Sequence, residues 1–482
     1  MQPVFLTVVR HEWRQMSAGK ILWPVAVLFA LLVGYGVWNG LHWVHFQQQT
    51  LEAVAQEETG RIAKMRAGVV EAWATGAITD PSEPDPRSAG FLGTRAARNA
   101  TLPPGSLAAL AIGQSDLYPY YFRVTMANKV SFTNNDELEN PTNQMAGHFD
   151  LAFVVVYLYP LFILALSYNL LSAERDEGTL AMLMSQPLAL GTLVLAKIAA
   201  RGAVVVALAA GFSLLAVLLS DAGLSEAQVW LRLALWITLL VAYGGFWFAL
   251  AIAVGALGKS SATNALALVG LWLVMALVIP ALVNVAVTAA DPMPSRLELI
   301  AAARQATLEA DKESKARLGQ YHKDHPELVP KGSGYNVADS YVKYVLSLDT
   351  EEKRLAPILD RFDEQLARQQ ASVAQLRFLS PALLAAEALN DLAGTGVERF
   401  RHFGRQVDGH HRAWRGYFLP RLFAKANLSA AELDRAPRYT FFEEDTAAVA
   451  ARTFPVLAGL VLPTLLLGAF GLVGLRRFPL IA

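Results

Sequence analysis

Long uncharged apolar runs alternate with long charged stretches along this 482-residue chain. Six runs of roughly 20 residues lack Asp, Glu, Lys and Arg: 21–41, 151–173, 202–220, 233–258, 260–290 and 453–475. A bilayer core of ~30 Å needs ~20 apolar residues in helix. Lipid offers no partner for an unpaired strand, so the runs predict helices. A soluble core has no need of six such runs. Residues 2–17 show a second pattern. Phe5, Val8, Val9, Trp13 and Met16 recur at helical spacing, with Arg10 and Arg14 elsewhere around the turn. That is an amphipathic helix suited to lying in a membrane interface.

Between the runs, 46–75 reads as a helix bearing Glu52, Glu57, Glu58, Arg61, Lys64 and Arg66. The Pro-rich stretch 80–86 is loop chemistry. Alternation over 118–133 predicts a strand pair. Residues 295–320, 338–374 and 396–426 read as long helices laced with opposite charges. The fold class expected is an all-α integral membrane protein: six transmembrane helices, an N-terminal interfacial helix and a mainly helical external domain. Its divisions are an interfacial helix at 1–20, a first span at 21–44, an external segment at 45–148, spans two to five at 149–290 with a short cytoplasmic helix at 174–187, a second external segment at 291–451, a sixth span at 452–475 and a tail at 476–482. The two external segments leave the same side of the membrane and are expected to pack together. The first apolar run is too long for a signal-peptide core of 7–15 residues, so it reads as an uncleaved anchor.

Composition agrees: 54% of residues are hydrophobic and 17% charged, against about 25% charged in soluble domains. Mean hydropathy is +0.34. Lys plus Arg and Asp plus Glu both number 41, which excludes nucleic-acid binding driven by net positive charge. No cysteine is present, so disulfides and Cys-based sites are excluded. Arg10, Arg14, Lys20, Arg175, Lys197, Arg201, Lys259, Arg476 and Arg477 share one side, against Glu12, Glu174, Asp176 and Glu177. The bias places both termini in the cytoplasm.

Pro160, Pro280, Pro455 and Pro463 fall inside spans; each removes a backbone donor that neighbours must replace. Gly36 and Gly40 offer a close-contact face. Uncharged spans lack the intramembrane carboxylate that a proton- or sodium-coupled carrier keeps, so the driving force is expected from outside them. Lys197 and Arg201 are expected to snorkel from the third span. Several chemistries fail on the residues. The nearest approach to a P-loop, Gly258-Lys259-Ser260, has Ala253 where the first glycine belongs and follows a membrane helix. His11-Glu12 continues as Trp13-Arg14-Gln15, so there is no H-E-x-x-H, and no G-x-S-x-G elbow occurs. His42 with His45, His322 with His325, and His402 with His410 and His411 fall short of the three or four ligands zinc needs. No catalytic, metal or cofactor site is assigned. A metalloenzyme stays a minor alternative.

The segment after the second span is the strongest local feature: Glu174, Arg175, Asp176 and Glu177, then Gly178, Thr179, Leu180, Met182, Leu183, Ser185 and Pro187. Acids cluster where the helix leaves the membrane. Gly178 breaks the helix, and Thr179 is placed to cap a new short one ending before Pro187. Such a protrusion, polar outside and apolar at Leu180, Met182 and Leu183, suits a partner's groove. This run, with Lys197 ten residues beyond Pro187, resembles the signature of type-2 ABC exporter permeases. Residues 259–265, Trp272 to Pro280, Asn284, 294–298, Ser380-Pro381, Gly394-Thr395 and Arg401-His402-Phe403 look like a subfamily with an enlarged external domain. The resemblance implies a multi-pass subunit of a bacterial inner membrane, dimerising with a second permease, the same or a paralogue. Each half would rest on a cytoplasmic ATPase that holds the ATP and Mg. Glu174, Arg175, Glu177, Gly178, Thr179, Leu180 and Leu183 would be its coupling residues. Uncharged spans lean toward a lipidic or amphipathic cargo, or toward force transmission to the external domain, which also offers surface for a periplasmic partner. The competing expectation is a membrane scaffold that binds a partner protein without transport.

Overall fold

The uncharged runs form helices, and several of these run on past the residues that predicted them. The computed structural model describes residues 2–19, 22–76, 84–127, 148–186, 189–220, 223–292, 296–324 and 337–478. In chain order its helices are α1 (Gln2–Ala18), α2 (Leu22–Thr75), α3 (Ala89–Arg95), α4 (Leu151–Asp176), α5 (Leu180–Met184), α6 (Leu190–Leu219), α7 (Ala227–Gly255), α8 (Ser261–Ala290), α9 (Arg296–Asp324), α10 (Val337–Leu376), α11 (Pro381–Ala393), α12 (Val397–Phe423), α13 (Ala430–Asp434) and α14 (Thr446–Gly474). Among the described residues six, α2, α4, α6, α7, α8 and α14, are long and apolar enough to cross a membrane. The chain is a predominantly helical multi-pass membrane protein.

The first span and the charged helix expected at 46–75 are one rod, α2, about 80 Å long at 1.5 Å per residue. No glycine or proline interrupts it between Leu41 and Thr59. Its Gly36 and Gly40 do form a contact face, directed at the chain's own loops. A Cβ on Gly36 would lie 2.8 Å from the Asp150 carbonyl carbon, and one on Gly40 2.1 Å from the Ala109 carbonyl oxygen.

α7 is the central helix. Trp236, Leu239, Leu240, Tyr243 and Trp247 are fully buried on it, and α4, α6, α8, α11 and α14 pack around it. The helices are longer than the uncharged runs that predicted them. α6 carries Lys197 and Arg201, α7 carries Arg232 (2% exposed) and α14 carries Arg452, because these helices begin before their uncharged runs.

Two spans are interrupted in the same way. In α4 a wide turn at Val154–Leu158 bonds residues five apart, and Pro160 follows. In α8 the turn is Val274–Val278, followed by Pro280. Wide turns of this kind often mark functional sites. Neighbouring side chains meet the carbonyls set free. Tyr243 Oη donates to Val156 O at 2.7 Å, Trp272 Nε1 to Tyr157 O at 3.2 Å and Ser380 Oγ to Met275 O at 2.6 Å.

Ser380 reveals a larger departure. Residues 377–393 read from the sequence as part of an external segment. In the structure Ser380 reaches the middle of α8, and Phe378 fills the space beside Gly459 of α14. α11 then climbs back for about 20 Å between α7 and α14. A half-length apolar helix escapes a search for 20-residue runs. Its local signals are nevertheless present: Ser380 accepts from Leu383 N as N-cap, Pro381 sits at the first turn, and Gly394 closes the C-terminus.

The two charged segments share one hydrophobic core. Leu92, Phe122, Val124 and Met126 from the first meet Phe403, Val407, Trp414 and Phe418 from the second. The strand pair differs from expectation. Tyr121–Val124 pairs antiparallel with Arg98–Thr101, and 128–133 lie outside the described residues. A charge cluster ties this lobe to the bundle. Arg399 holds Glu443 at 2.7 Å, while Arg452 holds Asp391 at 2.9 Å and Glu444 at 2.6 Å. Burial pushes the imidazole of His410 down to about 4, and His411 Nε2 lies 2.7 Å from Ala127 O.

The glycine geometry sets a paired prediction. Gly40→Ala forces a methyl group onto a backbone carbonyl and should cost about 1–3 kcal/mol. Gly60→Ala, in the same helix with open space around it, should gain about 0.5–1 kcal/mol. Thermal unfolding in detergent should move in opposite directions for the two; equal shifts contradict the close approach.

Candidate functional site

The segment 172–186 begins with the last turn of α4 and ends beyond α5. Gly178 sits at φ +72° with Gly178 N bonded to Arg175 O at 3.0 Å and Thr179 N to Glu174 O at 2.8 Å. That is a left-handed helix stop that glycine adopts without strain. Thr179 does not cap α5 as expected. Its backbone is helical, and its hydroxyl donates back to Glu174 O at 3.2 Å. The Glu174 carbonyl at the end of α4 thus accepts from both the amide and the hydroxyl of Thr179, and that hydroxyl is not available to cap the next helix. Pro187 lies outside the described residues.

Each predicted coupling residue has a definite place. Glu174 is bonded through Oε1 to Lys197 Nζ. Arg175 is buried and donates to Gly258 O at 2.6 Å and Lys259 O at 3.0 Å, with its guanidinium 5.6 Å from the Phe478 ring. Leu180 is 0% exposed, packed with Leu170, Leu171, Leu193, Val194, Ile252, Leu475 and Phe478. Leu183 is half-buried, whereas Glu177 and Gly178 are exposed. Met182, at 68% exposed, is the large apolar side chain that projects outward. The sequence places Leu180, Met182 and Leu183 together at the apolar tip; the structure leaves Met182 outward, because Leu180 anchors the short helix to the bundle and Leu183 is half-buried.

Lys197 and Arg201 do not snorkel. Lys197 Nζ donates to Leu170 O at 3.0 Å as well as pairing with Glu174. Arg201 donates to Leu166 O at 2.5 Å and Asn169 Oδ1 at 3.1 Å, and pairs with Glu12 of α1 at 2.7 Å. The kinked end of α4 leaves the Leu166 and Leu170 carbonyls without helical partners, and the cations one turn apart on α6 turn inward to serve them. Glu12 is buried, and α1 packs along α6 with Trp13 on its open side. The loop between α7 and α8 joins the same assembly. Ser261 Oγ donates to Asp176 Oδ2 at 2.9 Å and lies 2.8 Å from Ser172 Oγ. The sequence shows neither Ser261 and Phe478 as contacts of this segment nor Glu12 as the partner of Arg201. A separation of 189 positions between Glu12 and Arg201 carries no local signal.

Other candidates are less organised. The Gly258-Lys259-Ser260 turn spends two carbonyls on Arg175. Among the described residues no group of three His, Asp or Glu is placed to hold a metal. His42 stacks on Trp38, and His402 Nε2 lies 2.9 Å from Phe442 O. The side chain of His322 and all of His325 fall outside the described residues.

Residues 296–442 match a domain of unknown function, DUF3526. The match runs from α9 through α13 and stops before the last span. It does not include 172–186. No curated protein matches the chain.

The buried pair sets a test. Glu174→Gln leaves the Lys197 ammonium buried without its counter-charge and should cost about 3 kcal/mol. The double variant Glu174→Gln/Lys197→Met should recover most of that loss in thermal unfolding. A neutral single variant contradicts the pairing.

Proposed function

We propose that the chain is the membrane-spanning permease subunit of an ATP-binding cassette exporter, driven by a separate ATPase that docks on 172–186. One observation carries this reading. The segment is a rigid two-faced knuckle: Leu180, Arg175 and Glu174 fix it to the bundle, while Glu177 and Met182 stand outward from a glycine stop. Exposed apolar side chains on a held backbone, rimmed by charge, are what a docking site needs. Leu257, on the loop latched to the knuckle, is also exposed. Lys and Arg asymmetry puts this end and both termini in the cytoplasm, and the resemblance suggests a bacterial inner membrane. A second permease completes the transporter, in contact with the surrounding lipid. ATP and Mg belong to the ATPase, and hydrolysis needs no catalytic residue here. A push on the knuckle would rearrange packed spans as a two-state change.

A scaffold is the second reading. What favours it is that the match runs over α9 to α13 and leaves out the knuckle. Retention of a P-loop ATPase encoded by a neighbouring reading frame separates the two. Glu177→Arg and Met182→Asp, both at exposed positions, should each weaken co-purification by about tenfold or more. Unchanged retention for both contradicts the docking role.

A further inference from the structure

α8 and α14 are the least enclosed of the six spans, each with 17% of its apolar window buried against 67% for α7. α8 is held at a few points. At its start, Asp176 accepts from Ser261 Oγ at 2.9 Å and from Ser261 N at 3.4 Å, while Arg175 grips the two preceding carbonyls, of Gly258 and Lys259. At its far end, Ser372 Oγ donates to Asp291 Oδ2 at 3.0 Å, and Gln369 to Asp291 O. Between them lies the wide turn Val274–Val278, in which Ile279 N bonds to Val274 O.

The alternative to that turn is an ordinary α register. In the observed register the next amide, which should serve Met275 O, belongs to Pro280 and carries no proton. Ser380 Oγ supplies the missing bond at 2.6 Å. In an ordinary α register the carbonyl left open by Pro280 would instead be that of Ala276. Passing from one register to the other turns the outer half of α8 by about 100° relative to the inner half. Ser380 is the N-cap of α11, so the same hydroxyl holds the start of the inserted helix.

We infer that α8 is a two-register lever: Arg175 and Asp176 latch its inner end to the knuckle, and Ser380 of α11 holds its wide turn in the observed register. A displacement of the knuckle then reaches α11 and the end of α10 through α8, about 21 Å from Ser261 to Met275. These are positioning residues. The inference rests on the knuckle being the point of input, but its test needs no ATPase, so failure here leaves the docking result standing on its own.

Coupling between two ends is reciprocal. Hydrogen exchange on the full chain in lipid nanodiscs reads both ends at once. Asp176→Asn/Ser261→Ala should speed exchange in 377–393 as well as at 172–186, by about threefold or more. Ser380→Ala should speed exchange at 256–264 as well as in α11. Ser380→Thr keeps the donor and should restore the wild-type pattern, which separates a register effect from general unfolding. Changes confined to each variant's own end, or the same long-range change in Ser380→Thr, would overturn the lever.

Discussion

A carbonyl without a donor is expensive inside an apolar bundle, on the order of 1–3 kcal/mol. Much of the specific geometry here follows from that constraint. The second and fifth spans are broken by wide turns and prolines, and the second is irregular again at 168–171. Tyr243, Trp272 and Ser380 close the breaks in mid-span. Lys197 and Arg201 close the end of α4. Once drawn inward, those two cations require carboxylates, and Glu174 and Glu12 supply them. The N-terminal helix and the knuckle are thereby attached to the same face of α6.

These contacts hold the knuckle in place although its second helix has only five residues. A helix so short has no stability of its own. Its position is imposed by Leu180 beneath it and by the latch to the α7–α8 loop. What remains exposed includes Glu177, Gly178 and Met182. Methionine suits a contact that must tolerate adjustment. At the opposite end, Arg399, Arg452, Glu443 and Asp391 tie α12, α14 and α11 together, so the lobe and the bundle are joined by charge as well as by chain.

The six spans were legible because twenty uncharged residues have one stable form in lipid. The Gly178 stop was legible because a left-handed residue announces itself as glycine. The long helices α9, α10 and α12 followed from their charge patterns. The failures have a common physical cause. Lys197 and Arg201 looked like snorkelling cations because the carbonyls they serve belong to another helix. Leu180 and Met182 are both apolar, and only the third dimension says which one faces the bundle. α11 is half the length of a span and hid inside a polar segment. Tyr121–Val124 pairs with a strand twenty residues earlier, where no turn signal links the two.

The account stands on the knuckle lying at the cytoplasmic end of the bundle as an accessible handle. The chain has no cysteine, so a single Glu177→Cys variant reports its own surroundings. In inside-out membrane vesicles a membrane-impermeant maleimide should label it rapidly, and in right-side-out vesicles not at all. Labelling from the outer face, or protection on both faces by lipid, would contradict the account.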